Sequence, residues 1–144
     1  MSASGASGTS GAMTGVDTNV LLRFILDDDP RQHPIARRFF TERTRADPAF
    51  IPAIVLIEAI WYLRRIAKVD ARAVADTFQK LLSVDSVKFE DQDFIRMLFA
   101  DEEAVRGGLA DRLIARACER HGCSRMVTFD QHAAKTIPVA DLLA

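Results

Sequence analysis

Residues 15–17, Gly-Val-Asp, read as the end of a short buried strand, and Thr18 to Leu26 then carry the spacing of a helix. A strand that ends on a carboxylate and passes directly into a helix belongs in an α/β sheet, where ligands bind beyond the carboxyl ends of the strands. The rest of the chain repeats that alternation. Short strands are predicted at Ala49-Phe50-Ile51, Val84 to Phe89, Arg125 to Phe129 and Ile137 to Ala140. Helices are predicted between them, over 30–45, 53–67, 70–82, 90–105 and 110–121, with a short one opening at Asp130. Such an order implies a three-layer α/β/α sandwich with a mostly parallel central sheet, covered on both faces.

The segment 53–67 contains Ala-Ile-Val-Leu-Ile-Glu-Ala-Ile-Trp, apolar nearly all round, so its helix is expected to be central and buried. Residues 1–13 are Gly/Ser-rich and carry no charge, and read as a flexible tail or added linker with Met13 as a natural start. Residues 14–144 are then one domain, and 144 residues can bury a real core. A formal net charge of -1 provides no global field for nucleic acid, so a polyanion partner must be held by a local basic patch or by bound metal. No apolar run approaches the ~20 residues that span a bilayer. Two cysteines, Cys118 and Cys123, are too few for a disulfide scaffold or a four-ligand zinc site, and read as reduced thiols of a cytoplasmic protein.

Four acids stand out. Asp17, Asp111 and Asp130 each sit at or near a helix start, where an aspartate has an ordinary role as a cap. Glu58 has no such excuse. In a buried helix its carboxylate must be paired, neutralised or ligated, either by Tyr62 or Arg65 on its own helix or by a site shared with other acids. One edge of a parallel sheet would collect strand ends and helix starts, and with them all four acids. Clustered carboxylates repel unless a cation lies among them. Oxygen-only ligands suit Mg²⁺ or Mn²⁺, and one or two such ions at a phosphodiester give nuclease chemistry.

At these residues the sequence resembles the PIN-domain ribonucleases, most of all the VapC-type toxins of toxin–antitoxin pairs. The resemblance is carried by Val16-Asp17-Thr18-Asn19, Glu58 in Ile-Glu-Ala-Ile-Trp, Asp111 in Ala-Asp-Arg-Leu-Ile-Ala, and Thr128-Phe129-Asp130, in that order, and extends from about Thr14 to the C-terminus. It implies Mg²⁺- or Mn²⁺-dependent endonucleolytic cleavage of RNA, a homodimer, and inhibition by a small cognate antitoxin. By position it makes Asp17, Glu58, Asp111 and Asp130 the acidic quartet, with Asn19 and Thr128 as supporting polar residues. Asp111 and Asp17 are expected as direct ligands. Glu58 ligates or orients water, and Asp130 completes a second metal site or stands behind the first. Arg112 departs from the small residue that many relatives carry after the third acid.

Other residues carry weaker signals. Arg112, Arg116 and Arg120 lie at one-turn spacing, either as a solvated face or as a stripe that tracks a phosphate backbone. Trp61 either stacks on a base or belongs to the core or a dimer interface. Asp27-Asp28-Asp29 reads as a solvated turn before Pro30 rather than a metal loop. His33, His121 and His132 form no ligand spacing, although His132 lies close to Asp130. No phosphate-cradling Gly-rich loop and no nucleophilic triad is present. Two further readings stay open: a non-catalytic PIN-like binding domain, and phosphotransfer through an aspartyl phosphate on Asp17, which lacks the customary second acid two residues on.

Overall fold

The computed structural model describes residues 12–143; of the tail expected over 1–13, residues 1–11 lie outside the described residues. The order of elements is β1 (Thr14–Gly15), α1 (Thr18–Ile25), α2 (Gln32–Thr41), β2 (Ala49–Ile51), α3 (Ala53–Arg65), α4 (Ala71–Leu82), β3 (Val87–Phe89), α5 (Gln92–Phe99), α6 (Glu102–Gly107), α7 (Leu109–Arg120), β4 (Met126–Thr128), α8 (Gln131–Thr136) and β5 (Ala140–Leu142). The fold is the expected α/β/α arrangement, with parallel strands flanked by helices. The strands form two sheets. One runs β1-β2-β3 and the other pairs β4 with β5, and all three pairings are parallel.

Local chemistry sets the element boundaries. Val16 continues the β1 ladder by donating its N–H to the Phe50 carbonyl at 3.0 Å, and Asp17 then caps α1 by accepting from the Val20 N–H at 2.9 Å. Asp29 accepts from the N–H groups of Arg31 and Gln32 at 3.0 and 2.8 Å, so the acidic run before Pro30 is a turn that opens α2. Asp70 caps α4 through the Ala73 N–H, as expected. Glu90, from the loop after β3, accepts from the Ala53 N–H at the start of α3, where Pro52 has no side chain to offer.

Three expectations are corrected. The helix expected over 90–105 is two helices, because the Asp101 carboxylate accepts from the Glu103 N–H and caps a new start at α6. Helix α2 ends at Thr41 rather than Arg45; Arg43 turns back over the Phe39 ring and bonds Asp47 at 2.7 Å, which ties the turn to β2. Helix α3 is not buried all round. It buries Val55, Leu56, Ala59, Ile60 and Leu63, while Ile54, Glu58, Trp61 and Arg65 form an outward stripe.

The main core is built on the first sheet. Phe78 and Phe99 stack with ring centroids 5.2 Å apart, Phe78 meets Phe89 edge-on at 6.3 Å, and Leu21, Ile51, Leu56, Leu63 and Ile95 fill the space around them. A second, much smaller cluster joins Ala115 of α7 to Ala133, Ile137 and Ala140 beneath the second sheet. No described helix is long and apolar enough to cross a membrane.

Candidate active site

Asp17 stands where β1 gives way to α1, and its carboxylate is exposed. One oxygen, Oδ1, serves the helix cap. Glu58 reaches the same place from the second turn of α3. Its Oε1 accepts from the Thr18 hydroxyl at 2.6 Å, so the residue that follows Asp17 holds Glu58 across 40 positions of sequence. Both acids line one open cleft of about 780 Å³, together with Thr18, Asn19, Leu22, Arg23, Ile57, Trp61 and Tyr62. The buried carboxylate expected at position 58 is therefore corrected: Glu58 is exposed, partnered by Thr18, and does not turn to Arg65. Arg23 closes one wall. Its Nε donates to Gln32 at 2.8 Å, with the carboxylates of Asp28 and Asp29 at 3.9 and 3.8 Å.

The other two acids are placed differently. Asp111, in the first turn of α7, lines a smaller cavity of about 180 Å³ with Glu103, Arg112 and His132. Asp130 caps α8 by accepting from the Ala133 N–H at 2.9 Å, while its own N–H donates to the Thr128 hydroxyl at 3.0 Å. Among the described residues no three His, Cys, Asp or Glu side chains come close enough to form a ligand group. The structure thus joins Asp17 to Glu58 and does not gather all four acids. Among the described residues β4, which leads to Asp130, pairs with β5 and not with β1, which leads to Asp17.

The Asp17 and Glu58 carboxylates present hard oxygen donors to open solvent, each with a single oxygen engaged by a protein donor among the described residues. Mg²⁺ typically takes one or two carboxylates and completes its shell with water and substrate phosphate. The pair fits that requirement. No described polar or charged residue is buried, so the cleft has no closed cage that would suit a structural ion.

The arginine stripe is engaged in ion pairs. Arg116 bonds Asp91 with two nitrogens at 2.7 and 3.2 Å and lies 5.0 Å over the Phe94 ring. Arg120 is 3.5 Å from the same Asp91, and Arg112 is 3.7 Å from Asp101. The Arg116 guanidinium bonded to Asp91 holds that carboxyl below its usual value, against the opposing pull of burial. At the end of α7, burial pushes the Cys118 thiol up, and Cys123 beside it adds to the effect; both cysteines are free.

The role of Thr18 has no signal in the sequence: its hydroxyl positions Glu58. His132, expected close to Asp130, also lines the cavity of Asp111. Tyr62 was considered only as a partner for Glu58. Its place in the cleft beside Trp61 follows from helical spacing, since positions three and four beyond Glu58 lie on the same face.

The chain is similar to a VapC ribonuclease of Aquifex aeolicus (strain VF5), 22% identical over 120 residues that cover 83% of this chain and 89% of the relative. The family model described as PIN domain matches residues 15–137, a span that begins beside Asp17 and takes in Glu58, Asp111 and Asp130. By that match over most of its length, the chain belongs to the PIN-domain family.

Proposed function

We propose that this PIN-domain protein is a divalent-metal-dependent endoribonuclease and the toxin of a toxin–antitoxin pair, acting as one domain over residues 14–144. The observation that carries the reading is the meeting of Asp17 and Glu58 in one open cleft. The VapC ribonuclease relative supports RNA as the substrate and an antitoxin as the partner. In this reading Asp17 and Glu58 hold Mg²⁺ or Mn²⁺, and Asp111 and Asp130 are the remaining acids of the quartet. When bound, the ion supplies Lewis-acid polarisation of a phosphodiester and a nucleophile drawn from water.

The chain's own residues do the positioning. The Thr18 hydroxyl fixes Glu58, the Val20 N–H fixes Asp17, and the Thr128 hydroxyl fixes the backbone ahead of α8. Asn19, in the same cleft, offers an amide to substrate. Arg112 and Arg116 lend positive charge along α7 but are already paired with acids. Free cysteines agree with a cytoplasmic setting, and the homodimer is inferred from the family likeness.

The test is cleavage of total RNA by the purified chain. Cutting is expected with Mn²⁺ or Mg²⁺, none in excess chelator, and none by Asp17→Asn; equal cutting in chelator overturns the metal mechanism. The second reading, a non-catalytic PIN-like binding domain, is favoured by one observation: no three acids form a ligand group among the described residues. Calorimetric titration with Mn²⁺ separates the two readings, since a binding domain of that kind takes up no ion.

A further inference from the structure

We propose that Trp61 is a stacking platform for an unpaired nucleobase. A base of the substrate strand then lies on Trp61, with the adjoining phosphate facing Asp17 and Glu58. The proposal rests on the nuclease reading and adds to it a residue that positions the substrate.

Trp61 is 56% exposed, on the outward stripe of α3 that also carries Glu58. An indole is among the largest apolar surfaces a chain can bury. A fold with a well-filled core leaves this one open at the wall of the cleft that holds both acids. The neighbouring exposed side chains Ile54 and Ile114 line a different groove, between α3 and α7, so Trp61 is singled out by place and not only by exposure. It sits three positions beyond Glu58, which puts the two Cβ atoms ~5–6 Å apart on one helix face. That separation is comparable with the reach from a base to its own phosphate.

The rest of the cleft suits the same ligand. Leu22, Ile57 and Tyr62 give apolar and aromatic surface beside the indole, and Arg23 gives a cation in a cleft whose other charged groups are Asp17 and Glu58. A volume of about 780 Å³ falls within the roughly 300–1,000 Å³ of clefts that hold ligands. Every base has a π-face, so such a platform is tolerant of sequence. Bases inside a duplex are already stacked on their neighbours and cannot lie on the ring.

The chain has a single tryptophan, so indole emission reports on Trp61 alone. The full chain in Mn²⁺ is mixed with three probes: a mixed-sequence single-stranded oligoribonucleotide, the same strand annealed to its complement, and an abasic ribose-phosphate strand of the same length. Emission is read in the first seconds, before strand is consumed. Quenching by the first probe and not by the other two is expected. Trp61→Ala should raise KM about tenfold with kcat nearly unchanged, and Trp61→Phe should restore most of the loss. Cleavage of the single strand with unmoved emission overturns the proposal, as does equal quenching by all three probes. So does a Trp61→Ala variant that changes sedimentation while leaving KM alone, because the ring is then a face between copies. Quenching by the single strand without any cleavage would leave the platform standing and remove the nuclease reading instead.

Discussion

The two parallel sheets rest on very different amounts of core. Beneath β1-β2-β3 lie Phe78, Phe99, Leu21, Leu56, Leu63 and Ile95, nearly all without solvent contact, and the β2 residues Ala49 and Ile51 are fully enclosed. Beneath β4-β5 lie three alanines and Ile137, while Val127 and Phe129 face outward, Phe129 with 80% of its surface open. A buried Leu or Phe side chain stabilises by ~1.5–3 kcal/mol, and an alanine methyl by far less. The first sheet is therefore the rigid member and the second the yielding one. The acids divide along the same line. Asp17 and Glu58 stand on the well-packed half, Asp130 stands on the thin one, and Asp111 starts the helix that joins them.

The largest expected effect is on cleavage. Asp17→Asn and Glu58→Gln, on the rigid half, should each lower kcat/KM roughly a hundredfold or more. Asp130→Asn, on the yielding half, should lower it less and should leave the start of α8 capped, since the asparagine amide oxygen accepts the same bond. If Asp130→Asn costs as much cleavage as Asp17→Asn with no change in melting, the division of labour between the halves is wrong.

Stability should divide in the same way. Phe78→Ala empties the centre of the main core and should cost ~3–5 kcal/mol in urea unfolding. Ile137→Ala removes the one large side chain among the buried members of the second cluster and should cost nearer 2 kcal/mol. Backbone amides offer a milder probe. Those of β4 and β5 should exchange with deuterium roughly tenfold or more sooner than those of β2, because local opening is easiest where little apolar surface is buried. Equal protection in both sheets would show that the second is held by something other than its own small cluster.

The smallest effect concerns the tie between the halves. Asp91, ahead of α5, takes Arg116 and Arg120 of α7, and that pairing holds its carboxyl below the usual carboxylate value. A lowered folded-state value contributes stability above the unfolded-state value of ~3.9, and that contribution is lost as pH falls through the folded-state value. Asp91→Asn should therefore melt below the wild type at neutral pH, with the difference closing as the solution is acidified below the unfolded-state value of ~3.9 and on through the lowered folded-state value. A gap that persists unchanged in acid would mean that the pairing carries none of it.

Much of this was readable in the residues. Alternating strands and helices gave the layered α/β order, and Asp17, Asp70 and Asp130 gave three helix starts, because an aspartate before an apolar periodic run has one obvious local use. What failed depended on tertiary choices. Helix α3 is apolar on every side by composition, yet nothing local says that Ile54 and Trp61 face out; only the position of α1 and α7 around it decides that. In helix α7 packing buries Leu109, Leu113 and Ala115 and leaves Ile114 half exposed. The break at Asp101 was hidden because apolar spacing continues across it. That β4 pairs with β5 and leaves β1 as an edge strand has no local mark at all.

Gly122 carries a consequence for that pairing. It adopts φ +86 just beyond α7, a left-handed conformation that costs a residue with a Cβ ~1–2 kcal/mol. Open space surrounds the position, so a larger residue would be resisted by backbone geometry and not by collision. Were α7 to run on by another turn instead, Cys123 to Arg125 would be wound into the helix, and β4 would meet β5 in a shifted register. Asp130 and the helix it caps would then shift together, while Asp17 and Glu58 stayed where they are. One achiral residue thus works as a length stop, fixing how far along the chain the last acid falls.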